Sequence, residues 1–261
     1  MRARKRFGQH FLTDQAVLTQ LARVIRPRKD DLLLEIGPGH GALTEHLRGT
    51  TARYAAVEID RDMVPFLKAR FGAAADGGVE VINDDILRVD LAALLGGGPR
   101  RWRLVGNLPY NISTPLIIRL LGHLPHIEDM HFMLQREVAA RLAGQPGSKA
   151  WGRITVLTQY HCEVDQLFDV APQSFDPPPK VWSAVVRLVP RAEKLDLHRP
   201  EALDTVLRHA FSQRRKQLGN ALQSLPLDWQ RCGIEPSRRA DDVSVAEFVA
   251  LANALKEQSA P

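Results

Sequence analysis

The sequence predicts an α/β fold: a doubly wound, mostly parallel sheet with helices on both faces, followed by a small all-helical domain. Short apolar runs of strand length alternate with segments of helical spacing through the first two thirds of the chain. Beyond Pro190 only helical spacing is found, and 261 residues are enough for one sizeable domain and a smaller one. We therefore predict a first domain over 1–190 and a second over 191–261.

The elements of the first domain follow one another as strand, turn and helix. The predicted strands cover 32–36, 53–58, 79–82, 103–106 and 130–134, and the predicted helices cover 42–47, 63–71 and 115–121. Such alternation is typical of a mostly parallel sheet that is covered on both faces. Alternating apolar and polar residues at 155–160 and 183–188 predict two further strands, which we expect to form an antiparallel pair.

Glycine, proline and helical spacing set the remaining boundaries. Segments 96–99 and 144–147 predict loops of the first domain, and the prolines of 172–179 predict a rigid extended connection. In the second domain, 201–221 and 245–256 predict helices, and no segment predicts a strand.

Composition narrows the class of protein. The chain is 44% hydrophobic and 25% charged, which is ordinary for a globular protein, and no stretch approaches the roughly 18 apolar residues of a membrane span. The basic N-terminus lacks the apolar segment of a removable signal, so we expect a cytoplasmic protein. Two distant cysteines, Cys162 and Cys232, indicate neither a disulfide framework nor a metal site. A net charge of +5 and a pI near 9.5 favour a polyanionic partner.

A glycine loop, 35–41, joins the first predicted strand to the first helix. Glycines at this point let the backbone approach a ligand at the carboxyl edge of a parallel sheet, so we expect a nucleotide-like ligand. Gly37, Gly39 and Ala42 also fit the dinucleotide fingerprint, which leaves a nicotinamide cofactor as an alternative. A glycine turn that is needed only for packing the strand against the helix is a second alternative. A P-loop is excluded because Gly-Lys-Ser/Thr is missing.

Acidic residues at the next two strand ends favour S-adenosylmethionine. Glu58 ends the second strand, where a carboxylate can bond two ribose hydroxyls. Asp85 follows the third strand and suits an adenine amino group, although its neighbour Asp84 leaves that assignment open. Helix capping remains an alternative role for these acids.

The sequence Asn107-Leu108-Pro109-Tyr110 follows the fourth strand at the same edge. An exocyclic adenine amine is a poor nucleophile, and acceptors on the Asn107 side chain and the Leu108 carbonyl would draw its lone pair out of the ring. Pro109 restricts the residue before it, and Tyr110 offers a face on which a base can stack. A base that enters such a pocket must first leave its stack.

With these residues the sequence resembles, over nearly its whole length, the ribosomal RNA adenine dimethyltransferases, specifically the small-subunit enzymes whose loss confers kasugamycin resistance. The matching blocks are 6–12, 35–39, 107–114, 175–181, 211–216 and 238–245. The resemblance implies a Rossmann-like class I methyltransferase fold. It also implies dimethylation of two adjacent adenosines, in a hairpin loop near the 3′ end of 16S ribosomal RNA in the 30S subunit, and a role in the biogenesis of that subunit.

The resemblance also implies roles for individual residues. The residues implied to contact S-adenosylmethionine are His10, Leu12, Gly37, Glu58, Asp85 and Asn107. The target base is implied to lie on 107–110, with Phe175 stacked on its other face. His10 stands where many members have asparagine, so its contact is expected through the backbone or a different ring nitrogen. Trp182 stands where an acidic residue is common, and no role is transferred to it.

Basic residues at two places predict phosphate contacts with RNA, which position a nucleic acid without reading its sequence. They are Arg4, Lys5 and Arg6 near the N-terminus and Arg214, Arg215 and Lys216 on a predicted helix, with Lys180 after the triple proline as a further candidate. We expect no metal and no covalent nucleophile, because the methyl donor is already activated. We also expect a monomer, since no coiled-coil seam is found.

Several alternatives share parts of this pattern. The large-subunit (23S) rRNA adenine methyltransferases of macrolide resistance share the Asn-x-Pro-Tyr-Asn motif, but 177–180, 211–216 and 238–245 favour the small-subunit enzyme. A DNA adenine methyltransferase would more often carry Asp at position 107. A non-catalytic RNA-binding assembly or transcription factor on the same fold would show a degenerate cofactor loop, and an oxidoreductase would leave 107–110 unexplained.

Overall fold

A computed structural model of the chain describes residues 10–72 and 78–256, and these divide into two compact units. The first unit comprises the described residues up to Ala139 together with Asp165–Pro190. The second comprises Ala140–Val164 together with the described residues from Arg191 onward. The second unit therefore takes in a segment that the sequence analysis assigns to the first domain.

Nine strands are found within the described residues. Their bounds are β1 Phe11–Leu12, β2 Leu32–Ile36, β3 Arg53–Glu58, β4 Val79–Asn83, β5 Trp102–Asn107, β6 Ile127–Gln135, β7 Cys162–Val170, β8 Phe175–Asp176 and β9 Ser183–Pro190. Of these nine strands, β2 to β6 and β9 overlap predicted strands. Within the described residues, seven of them form one sheet in the order β4-β3-β2-β5-β6-β9-β7, while β1 pairs with β8. The pairings from β4 to β6 are parallel and β6 pairs antiparallel with β9, which confirms the predicted mostly parallel sheet.

Helices connect these strands and make up the second unit. Their bounds are α1 Gln15–Ile25, α2 Ala42–Leu47, α3 Met63–Phe71, α4 Leu91–Leu95, α5 Ser113–Leu121, α6 Arg136–Leu142, α7 Arg153–His161, α8 Pro200–Ser212, α9 Leu218–Ala221, α10 Trp229–Cys232 and α11 Val245–Asn253. The predicted helices at 42–47, 63–71 and 115–121 are confirmed. α11 begins at a reciprocal cap, in which Ser244 Oγ accepts from the Glu247 N–H and Glu247 accepts from the Ser244 N–H.

The prediction of a strand at 155–160 is wrong, because this segment lies in α7. Val156 and Tyr160 are buried with Trp151 in the core of the second unit, so the apolar side chains serve one helix face rather than one face of a sheet. The strand at 183–188 is antiparallel as predicted, but it pairs with β6 and has β7 as its other neighbour in the sheet. β7 was not predicted, and the loop at 144–147 belongs to the second unit.

Two other segments differ from their predictions. The helix expected over 201–221 is interrupted between Ser212 and Leu218, where the Lys216 N–H bonds the Gln213 carbonyl in a turn. The proline segment is extended only in part, since Pro172–Ser174 forms a 3-10 turn before β8. The chain after Pro190 is helical as predicted, with isolated bridges such as that between Gln217 and Arg239 in place of strands among the described residues.

Each unit has its own apolar core. In the first, side chains of α1 and α3 pack on the sheet, as Leu18 and Leu67 do, and both are buried. In the second, α7, α8 and α11 contribute buried residues such as Val206 and Phe248. Within the parts of the chain that the structure describes, no helix combines the length and the apolar character that crossing a membrane requires.

Candidate active site

A cleft of about 290 Å³ lies in the first unit, beyond the carboxyl ends of β2, β3 and β5. The chain order reverses between β2 and β5, and ligands of α/β sheets bind at such a switch point. The cleft is lined by 10–12 of the N-terminal arm, by most of the glycine loop, by 57–59 and 84–87 after β3 and β4, by 106–112, and by Leu21, Leu43, His131 and Met133. Of the residues predicted to bind cofactor or base, all but Phe175 line it.

Glu58 fixes the shape of the glycine loop. Its Oε2 accepts from the Gly39 N–H at 3.0 Å, and its Oε1 accepts from the Asp60 N–H at 2.9 Å. Gly39 has φ +56°, and a Cβ there would stand 3.0 Å from the Phe11 ring, so only glycine fits without displacing that ring. Burial raises the pKa of Glu58 despite these N–H donors. Each carboxylate oxygen has a second lone pair, so Glu58 can hold the loop and still accept from a ligand.

Glu35 is a second buried carboxylate at the cleft. Thr44 Oγ1 and the Tyr54 hydroxyl each donate to Glu35 Oε2 at 2.6 Å. Burial raises the pKa of Glu35 to about 7, although both hydrogen bonds lower it. The carboxylate therefore holds α2 and β3 against β2 while it remains close to its titration point at neutral pH.

Acidic and apolar side chains meet at the ends of β3 and β4. Asp85 Oδ1 accepts from the Leu87 N–H at 2.9 Å, and Asp84 Oδ1 accepts from the Asp85 N–H at 2.7 Å. Both aspartates line the cleft, so the structure leaves open which of them faces an adenine. Ile59 and Ile86 also line it, and Ile59 is 46% exposed. The sequence analysis missed these two residues, although each is an apolar residue directly after an acid at a strand end.

The N-terminal arm is held over the cleft by the segment around β8. β1 pairs antiparallel with β8, with Leu12 opposite Phe175. The N–H groups of Thr13 and Asp14 both donate to the Ser174 carbonyl, and Ser174 Oγ donates to Asp14 Oδ2 at 2.9 Å. These bonds fix the described part of the arm, from residue 10, where residues 10–12 line the cleft.

Phe175 serves this arm and does not reach the cleft. Its side chain is 3% exposed and packs in the core of the first unit. Stacking on a target base, which the resemblance implies for Phe175, would require the ring to leave that core. In this structure Phe175 positions the arm.

Asn107 presents an acceptor into the cleft. Its Nδ2 donates to the His10 carbonyl at 2.9 Å, which directs Oδ1 away from the arm. The Leu108 N–H donates to the Met133 carbonyl at 3.1 Å, and the Ile112 N–H donates to the Pro109 carbonyl at 3.1 Å. Among the described residues, Asn107 Oδ1 and the Leu108 carbonyl have no hydrogen-bond donor. Asn107 Oδ1 and the Leu108 carbonyl are thus two acceptors of this turn that remain available at the cleft.

Tyr110 and His10 flank this turn. The Tyr110 hydroxyl lies 2.9 Å from Ser183 Oγ, and burial raises its pKa. The His10 and Tyr110 ring centroids are 5.8 Å apart, and His10 Nδ1 donates to the Pro177 carbonyl at 2.7 Å. His10 therefore meets Asn107 through its backbone, while its ring contacts the proline segment.

His131 is a buried histidine that the sequence analysis did not single out. It lines the cleft from β6 and is 2% exposed. Its Nδ1 lies 3.6 Å from Asp129 Oδ1, and within the described residues neither ring nitrogen has a partner at hydrogen-bond distance. Two residues before His131 on β6, Asp129 bonds the guanidinium of Arg103 at 2.8 Å, and the same guanidinium bonds Asp31 at 2.8 Å. A polar residue inside the apolar run 130–134 is the signal that could have identified His131.

The basic residues predicted to contact RNA fall into three groups. Arg4, Lys5 and Arg6 lie outside the described residues. Arg215 and Lys216 are exposed on the second unit and Lys180 is exposed on the first. Arg214 is engaged, because its Nε donates to Asp241 at 2.5 Å and its Nη2 donates to the Lys149 carbonyl at 3.1 Å.

The reversing parallel sheet, the glycine loop, the strand-end acids and the 107–110 turn define a Rossmann-like class I S-adenosylmethionine-dependent methyltransferase. The family model described as ribosomal RNA adenine dimethylase matches residues 1–257, and the chain belongs to this family.

Individual relatives agree with this assignment. The chain is 51% identical over 259 residues to the ribosomal RNA small subunit methyltransferase A of Pseudomonas aeruginosa, covering 98% of this chain and 96% of that protein. It is similar to a solved dimethyladenosine transferase from Plasmodium falciparum, with 25% identity, a TM-score of 0.78, and 93% and 96% of the two chains covered. It is also similar to the solved 23S rRNA methyltransferase ErmE, with 26% identity, a TM-score of 0.71, and 94% and 99% covered.

The cleft fits the cofactor of this class. A Cβ built on Gly37 would meet no atom within 4 Å, so the loop backbone faces open space where a ligand can approach. Carboxylates at successive strand ends supply acceptors for hydroxyl and amino groups, and the isoleucines between them supply apolar surface. When bound, S-adenosylmethionine supplies an activated methyl group.

Proposed function

We propose that this chain dimethylates N6 of two neighbouring adenosines in a hairpin loop near the 3′ end of 16S ribosomal RNA, within the 30S subunit or its precursor. The observation that carries the proposal is the pair of unbonded acceptors, Asn107 Oδ1 and the Leu108 carbonyl, in the same cleft as the glycine loop. The 51% identity to a small-subunit methyltransferase supports the choice of ribosomal subunit.

The cofactor would be held at the ends of β2 and β3. Glu58 accepts from ribose hydroxyls, the backbone at Gly37 lies against the ligand, and Asp85 or Asp84 accepts from the adenine amino group. Ile59 and Ile86 cover the adenine faces. Leu12 and the backbone of His10 close the cleft from the arm, and the His10 carbonyl keeps the Asn107 amide in a fixed orientation.

The target amine would be held at the turn. Its two N–H groups donate to Asn107 Oδ1 and the Leu108 carbonyl, which draws the nitrogen lone pair out of conjugation and aims it along one direction. Tyr110 provides a face for the flipped base, and its hydroxyl is kept in place by Ser183. Catalysis on this account consists of positioning and electrostatics, without a metal or a covalent nucleophile.

RNA contacts outside the cleft would come from exposed cations. Lys180, Arg215 and Lys216 are available to phosphates, and Arg4, Lys5 and Arg6 are candidates beyond the described residues. Arg214 is a weaker candidate because Asp241 already pairs with it. We propose that the enzyme acts as a monomer, since one chain supplies the whole cleft, and that it acts in the cytoplasm, where its proposed substrate is assembled.

The alternatives have less support. The hypothesis of a large-subunit rRNA methyltransferase is supported by the similarity to ErmE. The sequence identity to ErmE is 26%, much lower than the 51% identity to the small-subunit enzyme. A non-catalytic RNA-binding factor would not need the intact loop of Gly37 and Gly39 together with two unbonded acceptors at 107–108.

One experiment tests substrate and chemistry together. The protein and methyl-labelled S-adenosylmethionine are incubated with small subunits that lack adenine dimethylation and, separately, with matched large subunits, and the digested RNA is read by mass. We expect dimethyladenosine from small subunits only. Methyl label in large-subunit RNA would indicate a 23S rRNA adenine methyltransferase of the macrolide-resistance type. Binding to subunits without transfer of label would favour an RNA-binding assembly factor.

A further inference from the structure

Trp182 and Val181 form an exposed apolar patch on the first unit, directly before β9. Trp182 is 48% exposed and Val181 is 44% exposed, whereas Trp102 of the same unit is 1% exposed. A half-exposed indole is large enough to serve as a contact surface, and aromatic side chains at such positions often anchor a ligand or partner.

The patch is linked to the active-site cleft through the residue that follows it, Ser183. Ser183, the next residue after Trp182, bonds the Tyr110 hydroxyl at 2.9 Å, and the Trp182 carbonyl accepts from the Arg136 N–H at 2.9 Å. β5, β6 and β9 are neighbouring strands, with Asn107 opposite Met133 and Gln135 opposite Ser183. β5 and β9 are therefore about two strand spacings, roughly 10 Å, apart, and the Tyr110 side chain after the end of β5 reaches across to Ser183, the neighbour of Trp182.

The charges around Trp182 suit a polyanion. Lys180 is exposed, and no acidic group among the described residues lies within ion-pair distance of its ammonium. The Arg136 side chain is 56% exposed, and its ion pair with Asp169 is long, at 3.5 Å. Proteins bind unpaired nucleic acid with exposed aromatics accompanied by cations, where the ring stacks on a base and the cations contact the backbone.

We propose that the Trp182 indole stacks on the base next to the one held at 107–110, so that the flanking nucleotide of the RNA strand is fixed while its neighbour is methylated. The proposal rests on the proposed function for the identity of that base: in a substrate with two neighbouring adenosines it is the other adenine. Lys180 and Arg136 contact the phosphates on either side, and Val181 extends the apolar platform.

Tryptophan fluorescence tests the stacking without turnover. Single-stranded oligoadenylate RNA is titrated into the wild-type protein, Trp182→Phe and, as a matched control, Trp229→Phe. Trp102 and Trp151 are each 1% exposed and thus shielded from a base, so stacking would quench mainly Trp182. We expect saturable quenching in wild type and Trp229→Phe that is lost in Trp182→Phe. Quenching that persists in Trp182→Phe, or its absence from wild type, would overturn the proposal.

Methyl transfer to small subunits lacking dimethylation tests the consequence for the substrate. Trp182→Ala is expected to raise KM about 5- to 100-fold, the loss associated with one base–aromatic stack. Trp182→Phe retains an aromatic face and should stay within about threefold of wild type. Ile118→Ala, which truncates another exposed apolar side chain of the first unit, should not change KM. Equal KM for Trp182→Ala and Ile118→Ala would refute the stacking role.

The outcomes separate this proposal from the function on which it rests. If the wild-type protein methylates small subunits and Trp182→Ala does so equally well, the proposed function stands and the stacking role of Trp182 is refuted. A wild-type protein that transfers no methyl group would remove the function, and the fluorescence titration would still decide whether Trp182 binds an unpaired base. A dimer in sedimentation that Trp182→Ala converts to monomer would show that a second copy covers the patch instead.

Discussion

The buried carboxylate of Glu35 makes the stability of this protein depend on pH in a predictable direction. Burial raises the pKa of Glu35 from its ordinary value of 4.5 to about 7. The folded state therefore holds a proton on Glu35 that the unfolded chain releases, so stability falls as pH rises from about 4.5 and levels off above about 7. The difference between the two pKa values corresponds to a change of about 3 kcal/mol in the free energy of unfolding.

Glu35→Gln isolates this contribution. The glutamine oxygen can still accept from Thr44 and Tyr54 but cannot ionise, so the variant lacks the cost of a buried charge. We expect wild type to lose about 3 kcal/mol of unfolding free energy relative to Glu35→Gln between pH 4.5 and pH 8. Urea unfolding of both proteins across this range measures the difference.

A surface carboxylate provides the control. Glu80 forms an exposed ion pair with Arg53, and Glu80→Gln should differ from wild type by about 1 kcal/mol or less with little pH dependence over the same range. A difference between wild type and Glu35→Gln that stays constant with pH would refute the reasoning, because it would mean that Glu35 ionises equally easily in both states.

Three further predictions follow from other parts of the structure. Arg103→Ala should lower the unfolding free energy by about 3 to 5 kcal/mol, since it removes the buried cation that pairs with both Asp129 and Asp31 and leaves Asp31 with only the exposed Arg28; an unchanged urea midpoint would contradict this. Gly41→Ala should cost about 1 to 3 kcal/mol of stability, because φ is +76° and a Cβ would collide with an aromatic ring of α3; an equal melting temperature would count against it. Replacing Arg215 and Lys216 together by alanine should reduce the slope of log affinity for RNA against log salt by about 0.7 to 0.9 per residue, whereas Arg214→Ala should chiefly lower stability. A larger reduction of this slope in Arg214→Ala than in the double variant would refute the assignment.

Local patterns were sufficient for the parallel strands of the sheet and for the cofactor loop. The runs at 32–36, 53–58 and 79–82 are short, apolar and followed by glycine or acidic residues, so each strand and the residue at its end could be assigned independently of the others. The convergence of these ends on one cleft then follows from the parallel connection of the strands.

Tertiary contacts decided the elements that the sequence misassigned. Alternation at 155–160 resembles a strand, but the side chains of Val156 and Tyr160 are buried against helices that begin some 40 residues later. Nothing local indicates that partner. Phe175 follows a proline turn, a position that fits either a base stacker or a core residue, and its 3% exposure in the core of the first unit is visible only in the fold.

Contacts between residues that are far apart in the chain could also not be predicted from the sequence. The bond from Asn107 Nδ2 to the His10 carbonyl joins residues 97 positions apart and determines which face of the amide is presented to the cleft. His131 is adjacent to this region only because β6 lies beside β5. The sequence motif predicted that Asn107 belongs to the site, whereas the orientation of its amide could be determined only from the folded structure.

The central claim is that Asn107 holds the target amine for methyl transfer, and single-turnover transfer by Asn107→Ala tests it most directly. With labelled S-adenosylmethionine and small subunits lacking dimethylation, the rate should fall about 10² to 10³-fold, as for loss of one preorganised hydrogen bond to the reacting group. Gln20→Ala, the removal of an exposed amide on α1, should transfer at the wild-type rate. Transfer by Asn107→Ala within a few-fold of wild type would contradict the account.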